Sequence, residues 1–330
     1  MVDVRYDVLG IGNAIVDVLV PAEDAFLVEH GLVKEGMTLI DADRAEQLYA
    51  IMGTGTESSG GSAANTVAGV AALGCRVCFV GKVRDDQLGN IFARDIRAVG
   101  VDFHSAPATE GPPTARCLII VTPDAKRTMN TFLGACVELG PQDVDEELIA
   151  ASAITYLEGY LWDPPGAKVA FIKAMGAARA AGRKVALSLS DGFCVDRHRG
   201  EFLDLVQHHV DILFANEQEI TSLYQTDSFD TALQAVRGQC EIAALTRSEK
   251  GAVIVAGDET HVVDAWPVDH VIDTTGAGDL YAAGFLTGLS QGRGLPECAA
   301  MAGICAAEVI SHMGARPEAD LQAFMKKNFG

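Results

Sequence analysis

Short β-rich apolar runs alternate with helical stretches along this chain, and that alternation constrains the fold more than any other feature. Residues 6–12, 77–81, 154–157, 185–189, 212–215 and 242–245 read as strands. Residues 63–73, 87–99, 168–181, 202–208, 217–224 and 231–236 carry helical patterns between them. Strand–helix alternation at this spacing implies right-handed crossovers and a mostly parallel sheet covered on both faces. Several of the strands are apolar throughout, as doubly covered strands should be. The chain has 330 residues, 49% of them hydrophobic, enough to bury one large core with a smaller attachment.

Two regions break the alternation. After the first strand come DVLVP, a short helical piece and MTLI. Around residues 116–132, CLIIVTPDAKRTMNTF reads as two extended runs about a Pro-Asp turn, hence a hairpin. The expectation is an α/β/α core formed by residues 1–13, 41–110 and 135–330, with a small β-lid formed by 14–40 and 111–134.

Charge narrows the function. There are 25 Lys+Arg against 45 Asp+Glu, a net charge of −20. Nucleic-acid binding is not expected, because phosphates are neutralised by clustered cations. The N-terminus lacks a basic segment followed by a long apolar run, and no apolar stretch is long enough to span a bilayer. A cytoplasmic protein without membrane association is the expectation. Cys75 and Cys78 form a CxxC inside an extended segment, with no second pair to build a zinc site, and read as buried thiols.

The most informative motif is VIDTTGAGDLYAAGF, residues 271–285. A Gly-Ala-Gly turn at the start of a helix leaves unpaired N–H groups at the positive end of the helix dipole. A carboxylate just after them, Asp279, can take a proton from a hydroxyl attacking a phosphoryl group held by those N–H groups. A first-turn acid complementing the dipole is the plainer alternative. Asn216 and Glu219 follow a strand end at helix spacing. They suit a hydrated Mg²⁺, the favoured reading, which is compatible with a helix cap. GIGNAI at residues 10–15 begins like a dinucleotide fingerprint but lacks the third glycine. There is no Walker loop, and the adjacent His208 and His209 diverge on a helix.

DTTGAGD resembles the C-terminal signature of the ribokinase-like, PfkB-type carbohydrate kinases. GNAIVD (residues 12–17), SGGSAAN (59–65) and FANEQE (214–219) are similar to three further motifs of that family, in the same order, and the similarity spans nearly the whole chain. The resemblance implies the ribokinase-like three-layer fold. It also implies an ATP- and Mg²⁺-dependent kinase for a nucleoside or sugar, acting as a monomer or homodimer. Asp279 would be the base, with Gly276, Ala277 and Gly278 forming the anion hole. Asn13, Asp17, Gly60, Gly61 and Asn65 would bind the sugar. Asn216, Thr246, Gly251, Gly276 and Gly278 would bind nucleotide. Asn216 and Glu219 would hold Mg²⁺ through water, and Asp273 and Thr275, with residues 311–314, would hold K⁺ or another monovalent cation. Within the family, GIGNAIVD, MTLIDAD and YLEGY look closest to the adenosine kinase branch. Tyr160, Trp162 and Phe132 are then the residues expected to stack a purine, and Arg116 the lid arginine expected to clamp phosphate. Free pentoses, hexoses or keto-deoxy sugar acids are the alternative substrates, and a silent nucleotide- or sugar-binding regulator is the alternative of a different class.

Overall fold

The computed structural model describes residues 3–124 and 126–330. In chain order the strands are β1 (Tyr6–Ile11), β2 (Ile15–Pro21), β3 (Met37–Leu39), β4 (Thr56–Gly60), β5 (Val77–Val80), β6 (Val101–Phe103), β7 (Ala115–Val121), β8 (Arg127–Phe132), β9 (Ser152–Glu158), β10 (Lys184–Ser188), β11 (Ile212–Asn216), β12 (Ile242–Thr246), β13 (Ala252–Ala256) and β14 (Glu259–Val263). Nine of them form one sheet in the order β14-β13-β12-β11-β10-β9-β1-β5-β6. From β12 to β6 every pairing is parallel; β13 and β14 close one edge antiparallel.

The six expected strands and the six expected helices are all present, with boundaries moved by a few residues except where the Gly192–His208 helix begins well before 202. Alternate strand residues feed two cores. Val8 of β1 packs on one face with Val67, Leu280 and Met301, whereas Leu9 and Ile11 pack on the other with Phe171, Phe202 and Ile220. This is the three-layer α/β/α architecture that the alternation demands.

The helices Ala277–Ser290 and Leu295–Val309 lie against each other over the first face. In the former every residue from Leu280 to Gly288 is buried, so no polar stripe marks it as amphipathic in the sequence. Gly284 is where the two helices touch: a Cβ there would lie 2.7 Å from the Cα of Ala302.

The remaining five strands form a small sheet, β3-β8-β7-β2-β4. Residues 14–40 and 111–134 supply β2, β3, β7 and β8. The fifth strand, β4, comes from the stretch 41–110 that the sequence reading assigned to the core. Its sequence, TESSG, has no apolar alternation, and its extended form follows from antiparallel pairing with β2 from Leu19↔Thr56 to Ile15↔Gly60. The Ala42–Met52 helix covers one face of the small sheet, with Leu48 and Met52 packed among Val16, Leu118 and Ile120. The other face looks onto the carboxyl ends of the large sheet's strands, where open α/β sheets bind ligands.

The helix contact sets a test with two opposite signs. Gly284→Ala should destabilise the protein by about 1–2 kcal/mol, because overpacking against backbone outweighs the propensity gain. Gly303→Ala, whose Cβ would meet nothing closer than 3.9 Å, should stabilise it by up to about 1 kcal/mol. Denaturant midpoints of the two variants check both.

Candidate active site

A cleft of about 420 Å³ lies between the small sheet and the ends of β10, β11 and β12. The start of the Ala277–Ser290 helix forms its floor. Gly276 caps that helix in the left-handed region, φ 79°, and a Cβ there would lie 2.8 Å from Ala315. Glycine is required at this cap by conformation and by space. Gly278 faces open space, so a ligand can approach its backbone. The expected anion hole needs one adjustment. The Ala277 N–H donates to the Thr274 carbonyl at 3.2 Å, which leaves Gly276, Gly278 and Asp279 as the turn's unengaged N–H donors among the described residues.

Asp279 accepts from the Ser62 hydroxyl at 2.6 Å on one oxygen and from the Asn65 amide at 3.0 Å on the other. Burial pushes its carboxyl up to about 6, against the opposing pull of those two hydrogen bonds and of Arg316. Asp17 sits on the small-sheet side of the same cleft. Burial raises it to about 6 as well, opposed by the charges of Arg316 and Arg127. No donor among the described residues engages its carboxylate, which leaves both oxygens for ligand hydroxyls. Gly60 makes room for that carboxylate, since a Cβ would lie 2.3 Å from its Oδ2.

The cleft gathers Asp17, Gly61, Asn65, Tyr160, Asn216, Glu219, Thr246, Thr275 and residues 276–279. Other expected residues stand behind it. Asn13 donates to Glu158 at 2.6 Å, and its own Oδ1 is buried without a partner. Gly251, at φ 80°, shapes the turn before β13, where a Cβ would strike the Val263 carbonyl. Trp162 is core: it packs between Phe171 and Phe202 and donates to Glu201. Phe132 does not line the cleft either, so of the three aromatic residues expected to stack a purine only Tyr160 is there.

Arg116 is the clearest displacement. Along β7 the cleft is lined by Cys117 and Ile119. By strand alternation Arg116 points the other way, where it pairs with Glu46 at 2.6 Å and lies over the Tyr49 ring. The lid arginine directed toward the site is Arg127, whose Nη2 is 3.0 Å from Asp273 Oδ2 with both side chains 8% exposed.

Asn216 and Glu219 form a reciprocal cap. Asn216 Oδ1 accepts from the Glu219 N–H at 2.8 Å, and Glu219 Oε2 accepts from the Asn216 N–H at 2.9 Å. The carboxyl of Glu219 is nonetheless at the cleft, raised to about 7 by burial. A single desolvated carboxylate beside an amide fits an outer contact to a hydrated, phosphate-bound Mg²⁺. The monovalent cation fares differently. Asp273 Oδ1 accepts from the N–H and the hydroxyl of Thr275, at 3.0 and 2.7 Å, and Oδ2 from the Gly314 N–H at 2.9 Å. Three hydrogen-bond donors and the Arg127 guanidinium, 3.0 Å away as an ion pair, thus approach this carboxylate, a setting that does not fit a further cation beside it.

Sequence reasoning missed Ser62, Glu158, Arg127 and Arg316. Glu158 ends β9, accepts from the Asn13 amide and from the Ala63 N–H at 2.8 Å, and is raised to about 7 by burial. It thereby fixes the start of the Ser62–Ala72 helix that carries Ser62 and Asn65. Arg316 donates from Nε to Asn65 Oδ1 at 2.8 Å and from Nη2 to the Ser59 carbonyl at 2.8 Å. Ser59 in turn donates its hydroxyl and its N–H to Asp95. The signal for Ser62 lay inside SGGSAAN, whereas nothing local marks Arg316.

Residues 30–321 match the family model described as pfkB family carbohydrate kinase. The solved structure of an adenosine kinase from Sinorhizobium meliloti is 54% identical, with a TM-score of 0.90, covering 98% of this chain and 99% of that one. A probable sugar kinase from Rhizobium etli CFN 42 is 52% identical with the same TM-score, covering 98% of each chain. An ATP-dependent ribose-1-phosphate kinase from Halopiger xanaduensis is 31% identical over 83% of this chain and 88% of its own.

Arg316 opposes the rise of both Asp17 and Asp279. In Arg316→Met the titration midpoints of both carboxylates, read by ¹³C NMR, should move up from about 6 by on the order of one unit. Unchanged midpoints would show that the guanidinium does not reach them electrostatically.

Proposed function

The chain belongs to the pfkB family of carbohydrate kinases, and from that membership we propose that it phosphorylates adenosine to AMP with ATP as donor. It is a phosphotransferase acting on an alcohol group; the choice of alcohol is the proposal. The observation that carries it is the cleft wall beside Asp17. Ile15, Cys117, Ile119 and Met129 of the small sheet line the cleft next to Asp17, whose carboxylate has no internal donor among the described residues. A ribose diol satisfies Asp17, and a flat, weakly polar base attached to that ribose covers the apolar wall. A free sugar would leave the wall wet or press hydroxyls against it. The adenosine kinase from Sinorhizobium meliloti, 54% identical over 98% of this chain, supports the same reading.

The chemistry follows from the groups in place. Asp279, ionised above about 6, takes the proton of the 5′-hydroxyl as its oxygen attacks the γ-phosphorus. The P–O bond to ADP breaks in line, and the charge on the transferring group's equatorial oxygens faces the N–H groups of Gly276 and Gly278. Ser62 and Asn65 hold the Asp279 carboxylate for that transfer. Asn216 and Glu219 would hold the water shell of Mg²⁺, which neutralises phosphate charge when it is bound with ATP.

ADP release measured with adenosine, inosine, ribose, fructose, ribose 1-phosphate and 2-keto-3-deoxygluconate tests the substrate. kcat/KM for adenosine should exceed that for any free sugar at least ~100-fold; a preferred free sugar would overturn the reading. Asp279→Asn should retain adenosine binding and lose kcat by on the order of 10³. The pH dependence has a fixed sign. A carboxyl raised to about 6 is protonated below that pH, so kcat/KM should fall as pH drops through about 6 and level off above it. Because Asp17 titrates in the same range, the acid limb should be steeper than one proton allows.

A further inference from the structure

The group around Asp273 is arranged for a purpose other than cation binding. A monovalent cation needs converging oxygen acceptors, and its anchor in this turn would be the Asp273 carboxylate. That carboxylate has about four lone-pair positions; three accept hydrogen bonds, two from Thr275 and one from Gly314, and the Arg127 guanidinium stands beside it as an ion pair, its Nη2 3.0 Å away and making no hydrogen bond. From the segment at residues 311–314, the Gly314 N–H donates to Asp273. The positive charge that balances Asp273 is already present as a guanidinium 3.0 Å away, and both partners are nearly inaccessible to solvent. It cannot be deprotonated in a protein and needs no ion from solution.

Arg127 reaches this position because of strand parity. It pairs with Val121 across the hairpin, which puts it on the same face of the small sheet as Cys117 and Ile119, toward the cleft. Asp273 in turn holds the turn before Gly276 through Thr275. A charge delivered to Asp273 therefore stiffens the peptide whose N–H groups face the cleft.

We propose that Arg127 occupies, as a fixed side-chain charge, the place that a monovalent cation would take beside Asp273, so that this protein binds no K⁺ there and works without it. Arg127 is a positioning residue in this role, acting on the anion-hole turn through Asp273. The rate part of the inference rests on the kinase reading; the binding part does not.

The test compares K⁺ with tetramethylammonium in thermal unfolding and in ADP release. Wild-type Tm and kcat/KM should be the same in both salts. Arg127→Gln removes the charge. It should lose about tenfold in kcat, gain thermal stability in K⁺ over tetramethylammonium, and recover part of its rate in K⁺ alone. Arg127→Lys, which keeps a cation, should stay indifferent to K⁺ and guards against a variant that simply misfolds. A K⁺-raised Tm or rate in the wild type would overturn the proposal, as would an Arg127→Gln protein indifferent to K⁺ by both readouts. The unfolding arms need no substrate, so a protein that ignores adenosine would still report on the cation.

Discussion

Everything at this site depends on keeping Asp279 out of bulk water and still able to ionise. Burial alone would leave it protonated, and Ser62, Asn65 and the charge of Arg316 pull it back to about 6. Those supports are not independent. Asn65 is held by Arg316, Arg316 by Ser59, and Ser59 by Asp95. Ser59 lies on a strand of the small sheet and Asp95 on a helix beside it, so Asp279 is braced against both the small sheet and the core. Four carboxyls in or behind the cleft, Asp17, Glu158, Glu219 and Asp279, are raised by burial to between about 6 and about 7. Folded values above the unfolded ones mean that the fold binds these protons more tightly. The resulting stability is present below the unfolded values and is lost as pH rises through the folded ones. The site is thus costly to the fold at neutral pH, as a site built to move a proton and a phosphoryl group should be.

What could be read from the sequence was local. The alternation of β-rich and helical runs predicts the large sheet because period and length are properties of a few consecutive residues. The Gly-Ala-Gly turn with Asp279 was legible for the same reason: helix start, glycine and acid lie within four positions. Asn216 and Glu219 read two ways, as cap or as magnesium contact, and the cap bonds are made while the carboxyl remains at the cleft. Ser62 and Asn65 reach Asp279 across more than 200 residues of chain. Arg316 reaches Asn65 across 251, and no periodicity reports a contact of that kind.

The two lid arginines show where the limit falls. Arg116 and Arg127 belong to one hairpin, and composition gives no reason to prefer either. Register decides, since side chains alternate across a strand and a shift of one position exchanges the faces. Asp17 is paired with Cys117, and Val121 with Arg127. Both pairs share the cleft face, which sends Arg116 to the covering helix and its partners Glu46 and Tyr49. The fifth strand of the small sheet escaped notice for a related reason. TESSG carries no pattern of its own and is extended only because β2 lies beside it.

Charge placement joins these points. The chain carries a net charge of −20, and its cleft holds acids, yet the proposed donor is a polyanion. Long-range attraction does not favour its entry, so on the proposed reading binding rests on short-range groups: the free N–H donors and a hydrated cation held near Glu219. Arg316 is tied to Ser59 on β4 as well as to Asn65, and Arg127 to Asp273. Both contacts join the small sheet or its neighbours to the core rather than standing free in the cleft. If Arg127 supplies the charge at Asp273, any movement of β8 away from the core removes that charge from the turn at residues 276–278. The turn would then be firm only while the small sheet covers the cleft and excludes water, which ties transfer to the state in which the acceptor hydroxyl has no competitor.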